Sequence, residues 1–266
     1  MDLGLKGRRA AVTGASRGIG LATARLLAAE GAHVLLAGRD AAALAAAAES
    51  IGPGPAGPAA TVALDITAPD AGERLQAAAD AAFGGLDILV NNAGTTHLVP
   101  LLEVSDADWE EQFGLSVLGP HRLMRALVPA MAQRGWGRVV NVSSSSGKRP
   151  SARNPAYAVG KAAELSLSRA WADAFAAQGV LINAVAPGVI ATGLWTADGA
   201  LADQAAAQAG TTREQALADA AGRIPLGRLG TDEEVAGIIA VLCSEIASNV
   251  TGAAWSVDGG TFASII

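Results

Sequence analysis

The chain has 266 residues, 51% of them hydrophobic and 17% charged, which is enough to bury a sizeable core and too apolar for wholesale disorder. A net charge of -6 without a basic run argues against a nucleic-acid partner, and a single cysteine, Cys243, rules out an internal disulfide. No apolar stretch has the length of a signal peptide or a membrane span, so the expectation is a soluble, cytoplasmic protein without a membrane partner.

Short apolar runs alternate with long alanine-rich stretches. Strands are expected at 9–13, 33–37, 61–64, 86–90, 137–142, 180–185 and 254–257. Helices are expected at 19–30, at 41–50 behind Asp40 as N-cap, and at 71–83. Ser105 with Asp108 opens a long helix that reaches about Met131, and another helix runs over 158–177. Thr231 with Glu234 fits a capping box ahead of a last helix. Residues 193–222 break the rhythm, being polar, rich in Gly and Ala and helical in pieces. With no repeat and no linker, the pattern predicts one α/β domain over 1–266. Its core is a Rossmann-type, doubly wound parallel sheet of about seven strands with helices on both faces. Ligands of such sheets bind at the carboxyl ends of the strands.

The first strand runs into Thr13-Gly14-Ala15-Ser16-Arg17-Gly18-Ile19-Gly20. Gly14, Gly18 and Gly20 allow a tight turn and let a pyrophosphate approach the helix N-terminus, with Ser16, Arg17 and Ile19 beside it. The second strand ends at Gly38-Arg39, where a site selective for NAD usually has an acid. Arg39, aided by Arg17, can pair with a 2′-phosphate, so NADP(H) is the expected cofactor. Asp40 turned toward the ribose would favour NAD(H) instead, and either arginine could be merely solvated. Asp65 and Ile66 end the third strand. Asp65 suits either the adenine amino group or a turn. Asn91-Asn92-Ala93-Gly94 ends the fourth strand, where small residues let the chain pass beside a cofactor and Asn side chains tie neighbouring strands.

Tyr157, the one tyrosine of the chain, and Lys161 are four residues apart and share a helix face. A phenol titrates at about 10, and lowering that by about 2 units takes about 2.7 kcal/mol, which a neighbouring ammonium and an oxidised nicotinamide can supply. Tyr157 would then trade a proton with a carbonyl or an alcohol, while Lys161 could also hold the nicotinamide ribose. The serines at 143–146 follow the fifth strand, where a substrate oxygen should sit.

Together these stretches resemble the short-chain dehydrogenase/reductase family over nearly the whole chain: Thr13–Gly20, Asn91–Gly94, Ser144 with Tyr157 and Lys161, Asn183–Thr192 and Val257–Gly260. The resemblance implies that Ser144, 13 residues before Tyr157, is the active serine. It further implies that Pro187, Gly188, Ile190 and Thr192 line the nicotinamide side, and that the protein is a homo-oligomer, a tetramer or a dimer. The fifth predicted helix, the last strand and the apolar tail at 262–266 would form the contacts. One residue departs from the family pattern: Ser116 stands where the family usually carries an asparagine that holds a water linking the lysine to solvent. Ser116 could hold that water through its hydroxyl, with Gln112 assisting.

Substrate contacts are expected from 95–100, 145–154 and 193–222, the last as a lid, with His97 and Trp195 as candidate contacts beside Ser144 and Tyr157. Packing of the lid is an equal explanation for Trp195. Lys148, Arg149 and Arg153 could attract an anionic, carrier-linked acyl group or be solvated. The three histidines lack ligand spacing, so no metal is expected. The expected activity is hydride transfer between NADP(H) and a carbonyl or secondary alcohol, 3-oxoacyl groups included. The alternative is a dinucleotide-binding sensor or scaffold with weak or no turnover.

Overall fold

A computed structural model describes residues 2–263. Seven parallel strands form one sheet in the order β3-β2-β1-β4-β5-β6-β7. They are β1 (Arg9–Thr13), β2 (His33–Gly38), β3 (Ala60–Ala63), β4 (Ile88–Asn91), β5 (Gly137–Val142), β6 (Val180–Pro187) and β7 (Ala254–Val257). The helices are α1 (Gly18–Ala29), α2 (Ala41–Ile51), α3 (Ala71–Phe83), α4 (Asp106–Phe113), α5 (Gly119–Gln133), α6 (Ser145–Lys148) and α7 (Pro155–Phe175). They continue with α8 (Gly193–Thr196), α9 (Leu201–Ala209), α10 (Arg213–Gly222) and α11 (Asp232–Cys243).

Side chains alternate across the strands, which gives the sheet two apolar faces. Val12, Val34, Leu36, Ile88 and Val90 face the core under α1, α2 and α11. Ala11, Leu35, Leu89 and Val139 face the core under α3, α5 and α7. The chain winds outward from β1 to β3 and then returns to place β4 beside β1. That reversal opens a crevice at the carboxyl ends of β1 and β4.

The single helix expected from Ser105 to Met131 is broken. Ser105 and Asp108 form the expected capping box, but α4 stops at Phe113, and Gly114–Leu118 is a wider π-helical turn. The Gly119 N–H bonds back to the Gly114 carbonyl, five residues away. Pro120 has no N–H to give the Ser116 carbonyl, so the ordinary ladder cannot run through this point. The helix expected at 158–177 starts at Pro155 instead, because proline suits the first helical position, and this puts Tyr157 in its first turn. Other boundaries shift by one or two residues. Of the apolar tail, positions 264–266 lie outside the described residues. Among the described residues no helix is long and apolar enough to cross a membrane.

Candidate active site

A cleft of about 630 Å³ lies along the carboxyl ends of the strands. One end is the turn from β1 into α1. Arg17 at the α1 N-cap makes no side-chain cap bond, so the first N–H groups of a 12-residue helix face the cleft unclaimed. The turn has no room for side chains. A Cβ at Gly14 would stand 2.8 Å from Ala93 Cα, and one at Gly20 would stand 2.5 Å from Asn92 Nδ2. Gly14 and Gly18 also have positive φ (64° and 54°). Asn92 clasps this turn by donating to the Thr13 carbonyl (2.9 Å) and the Gly14 carbonyl (3.2 Å). Thr13 Oγ1 accepts from the Asn92 and Ala93 N–H groups, both at 3.0 Å. Thr192 leans over the same turn, since a Cβ at Gly18 would lie 3.3 Å from its methyl group. A bare-backbone cradle closed by a helix N-terminus fits a pyrophosphate.

Gly14, Ser16, Arg17, Gly18, Ile19, Arg39, Asp65, Ile66, Asn92, Ala93, Gly94, Pro187, Gly188, Ile190 and Thr192 all line the cleft, while Gly20 is buried behind it. Arg17 and Arg39 are exposed and enter no ion pair among the described residues. Asp40 does not turn toward a ribose; its Oδ1 accepts from the Ala42 and Ala43 N–H groups at 2.9 and 3.0 Å and caps α2. Asp65 behaves as a turn residue whose Oδ1 accepts from Thr67 N (2.9 Å) and Thr67 Oγ1 (2.8 Å). Those bonds, together with the Arg39 charge, hold its carboxyl below the usual range.

At the other end of the cleft stand Ser144, Tyr157 and Lys161. Ser144 Oγ accepts from the Ser146 N–H (3.1 Å), which leaves its own hydrogen free to donate. Ser143 points the other way and donates to the Lys161 carbonyl (2.9 Å). Lys161 is 4% exposed, and its ammonium lies 6.0 Å from the Tyr157 ring centre. It donates to the Val142 carbonyl and to Glu164 Oε2, each at 2.8 Å. Burial opposes the charge on Lys161, but Glu164 and Tyr157 together outweigh it and raise its pKa.

Ser116 is buried in the π turn and lies against α7: a Cβ at Gly160 would be 3.4 Å from Ser116 Oγ. Gln112, buried one turn earlier, donates from Nε2 to the Thr95 carbonyl (3.2 Å). His97 is outside the cleft lining, with Nε2 3.1 Å from Asp108 Oδ1. Trp195 does line the cleft, beside Leu194 and Leu201. Lys148 turns away from the solvent approach, donating to the Ala254 carbonyl (2.7 Å) and Ser256 Oγ (2.8 Å).

Two residues of the site were not singled out from the sequence. Asn154 lines the cleft, and its Oδ1 is buried without a hydrogen-bond partner. Glu164, 1% exposed, is the partner of Lys161. For Asn154 the available signal was an Asn-Pro pair opening the Tyr157 helix; for Glu164 it was the i, i+3 spacing from Lys161.

Residues 14–261 match a family model described as enoyl-(acyl carrier protein) reductase. A galactitol 2-dehydrogenase of Agrobacterium fabrum is 34% identical over 98% of this chain and 99% of its own length. A 3-oxoacyl-(acyl-carrier-protein) reductase of Vibrio cholerae is 35% identical with the same coverage. The crystal structure of L-sorbose reductase from Gluconobacter frateurii, complexed with NADPH and L-sorbose, superposes with a TM-score of 0.92 at 34% identity, covering 100% of both chains.

Proposed function

This chain belongs to the short-chain dehydrogenase/reductase family, oxidoreductases that act on alcohol and carbonyl groups with NAD(P), and on that premise we propose that it transfers a hydride between NADP(H) and a small polyhydroxylated ketone or the corresponding alcohol. The observation that carries the reading is the meeting of Ser144, Tyr157 and Lys161 in one cleft with the glycine turn. The dinucleotide, when bound, supplies or takes up the hydride. The glycine turn and the α1 N-terminus hold its pyrophosphate, and Arg39 with Arg17 holds the 2′-phosphate. Asp65 and Ile66 border the adenine end, and Pro187, Gly188, Ile190 and Thr192 border the nicotinamide.

In reduction, Ser144 donates a hydrogen bond to the carbonyl oxygen and Tyr157 donates the proton. In oxidation, Tyr157 takes the proton from the alcohol. Lys161 holds its ammonium beside the Tyr157 ring at this end of the cleft. The polyol reading is supported by the hydroxyl and amide groups of Thr95, Thr96, Ser146 and Asn154 along the substrate end. These polar groups suit a hydroxylated substrate better than a hydrocarbon chain. Of the three cations near the mouth, Lys148 is tied to β7, while Arg149 and Arg153 are exposed and enter no ion pair among the described residues.

Residues 193–222 serve as the lid in this reading. Gln204 Oε1 accepts from the Leu98 N–H across the cleft mouth (2.8 Å), and Leu98 packs on Ala205, Ala206 and Ala216. Exposed Phe113, Leu118 and Val159 on one side and Trp255 on β7 support a homo-oligomer, and the single, buried Cys243 suits a cytoplasmic setting. Light scattering tests the first. The activity is tested by following NADPH oxidation with ketoses, simple ketones and a 3-oxoacyl thioester. Turnover confined to the thioester would overturn the polyol reading, and no turnover with any of them would favour the sensor alternative.

A further inference from the structure

One face of α7 carries Tyr157, Lys161, Glu164 and Ser168 in successive turns. Lys161 and Glu164 are withdrawn from water together, the ammonium 4% and the carboxylate 1% exposed, with Nζ and Oε2 2.8 Å apart. A carboxylate at such depth is rare, and this one is not itself part of the cleft lining but lies behind Lys161, closed to solvent. Its stretch of helix is fastened by a neutral ladder. Asn91 Nδ2 donates to Asn141 Oδ1, Asn141 Nδ2 donates to Ser168 Oγ, and Ser168 Oγ donates to the Glu164 carbonyl, each at 2.7 Å.

We propose that Glu164 is a positioning residue that keeps Lys161 charged and aimed at the cleft, so that the ammonium beside Tyr157 persists through neutral and alkaline pH. This rests on the reading of Tyr157 and Lys161 as the proton-transfer pair. Burial alone moves a lysine downward by up to about 3–5 units, far enough to discharge it near neutrality. A contacting carboxylate reverses that, and Lys161 is in fact raised. The same burial pushes the Glu164 carboxyl up to about 7, against the pull of Lys161. Below that value the pair holds two protons and a net positive charge; above it the pair is a neutral ammonium–carboxylate couple. The charges that bear on the pair are each other and the Tyr157 phenol. The elements packed around it offer neutral groups: Asn141 from β5, Ser143 from the turn after it, Gln112 from α4 and Ser116 from the π turn. Of the three protons on Nζ, one is held by the Val142 carbonyl and one by Glu164, which leaves one for the cleft.

The test is a carbon-13 NMR titration of labelled lysine in the full-length protein. The other lysines, Lys6 and Lys148, are assigned by Lys→Arg variants. In Glu164→Gln the Lys161 midpoint falls by about 2 units or more, and Glu164→Asp restores most of it. The wild-type Lys161 resonance also shows an inflection at about 7 as Glu164 titrates, which serves if Glu164→Gln fails to fold. An unchanged Lys161 midpoint in folded Glu164→Gln, or the absence of that inflection in the wild type, overturns the proposal. Turnover is read in parallel: kcat of Glu164→Gln falls on the alkaline side while KM changes little. A wild type without turnover but with the predicted lysine behaviour defeats the activity reading and leaves this inference standing.

Discussion

Replacing Arg39 with alanine separates the two nicotinamide cofactors. Arg39 follows the last residue of β2, where an acid would bind a ribose hydroxyl, and it enters no ion pair among the described residues. A phosphate at about 4 Å gains roughly 1 kcal/mol per charge pair in water and about 4 kcal/mol at the effective dielectric of a protein surface. Ordering an exposed, rotamer-rich side chain returns up to about 2 kcal/mol. The net for a charge-assisted contact is about 1.5–3 kcal/mol, or about ten- to hundredfold in affinity. Arg17 remains in the variant, so the loss falls short of abolition, and Arg17→Ala added to Arg39→Ala deepens it. NADH has no 2′-phosphate and should bind both proteins alike. Asp40 does not rescue NADH binding, because leaving its cap on Ala42 and Ala43 costs about 1 kcal/mol. Titrating the fluorescence of each reduced cofactor gives the two dissociation constants without a substrate. Equal losses for NADPH and NADH would refute the phosphate contact.

Two further outcomes follow from buried polar groups. Asp87 accepts from Arg9 Nε (2.8 Å) and Nη2 (2.5 Å) and from the Arg9 N–H (3.1 Å), while Arg134 reaches it at 3.3 Å. Burial raises its carboxyl, but these partners outweigh that and hold it below the ordinary value. Its stabilisation is therefore complete above a pH of about 4 and lost as pH falls further. Asp87→Asn should lower unfolding free energy by about 2 kcal/mol near neutrality, as read by urea denaturation, with the difference shrinking in acid. Ser116→Asn should change turnover by less than about tenfold, because Lys161 is already held from its other side by Glu164. A hundredfold gain would show that the lysine needs an amide there.

Much of the fold was legible because most strands are short apolar runs that give way within a residue or two to glycine, asparagine, serine or aspartate. Where a strand feeds a helix through Thr13–Gly20, the bare backbone is itself the signal of the site. The π turn was hidden because the apolar periodicity continues through 105–131, although Pro120 lacks the N–H that the ladder needs there. Glu164 was hidden for a different reason. A glutamate in an alanine-rich helix reads as solvated, and it is buried only because α7 packs on β5 and the π turn. The position of His97 beside Asp108, the residue that completes the α4 capping box, was not legible because the two are eleven residues apart, across a loop without periodicity. Ser144 could be told from its neighbours by family spacing alone, and in the structure the difference is physical: Ser143 is spent on a backbone carbonyl, while Ser144 keeps its hydrogen.

The proton-transfer role of Tyr157 is tested most directly by Tyr157→Phe, which removes the hydroxyl and leaves the ring that packs near Lys161. NADPH oxidation with a substrate of the wild-type protein should fall by at least about a thousandfold, while NADPH affinity stays within about threefold. Turnover retained within about tenfold of wild type would contradict the account.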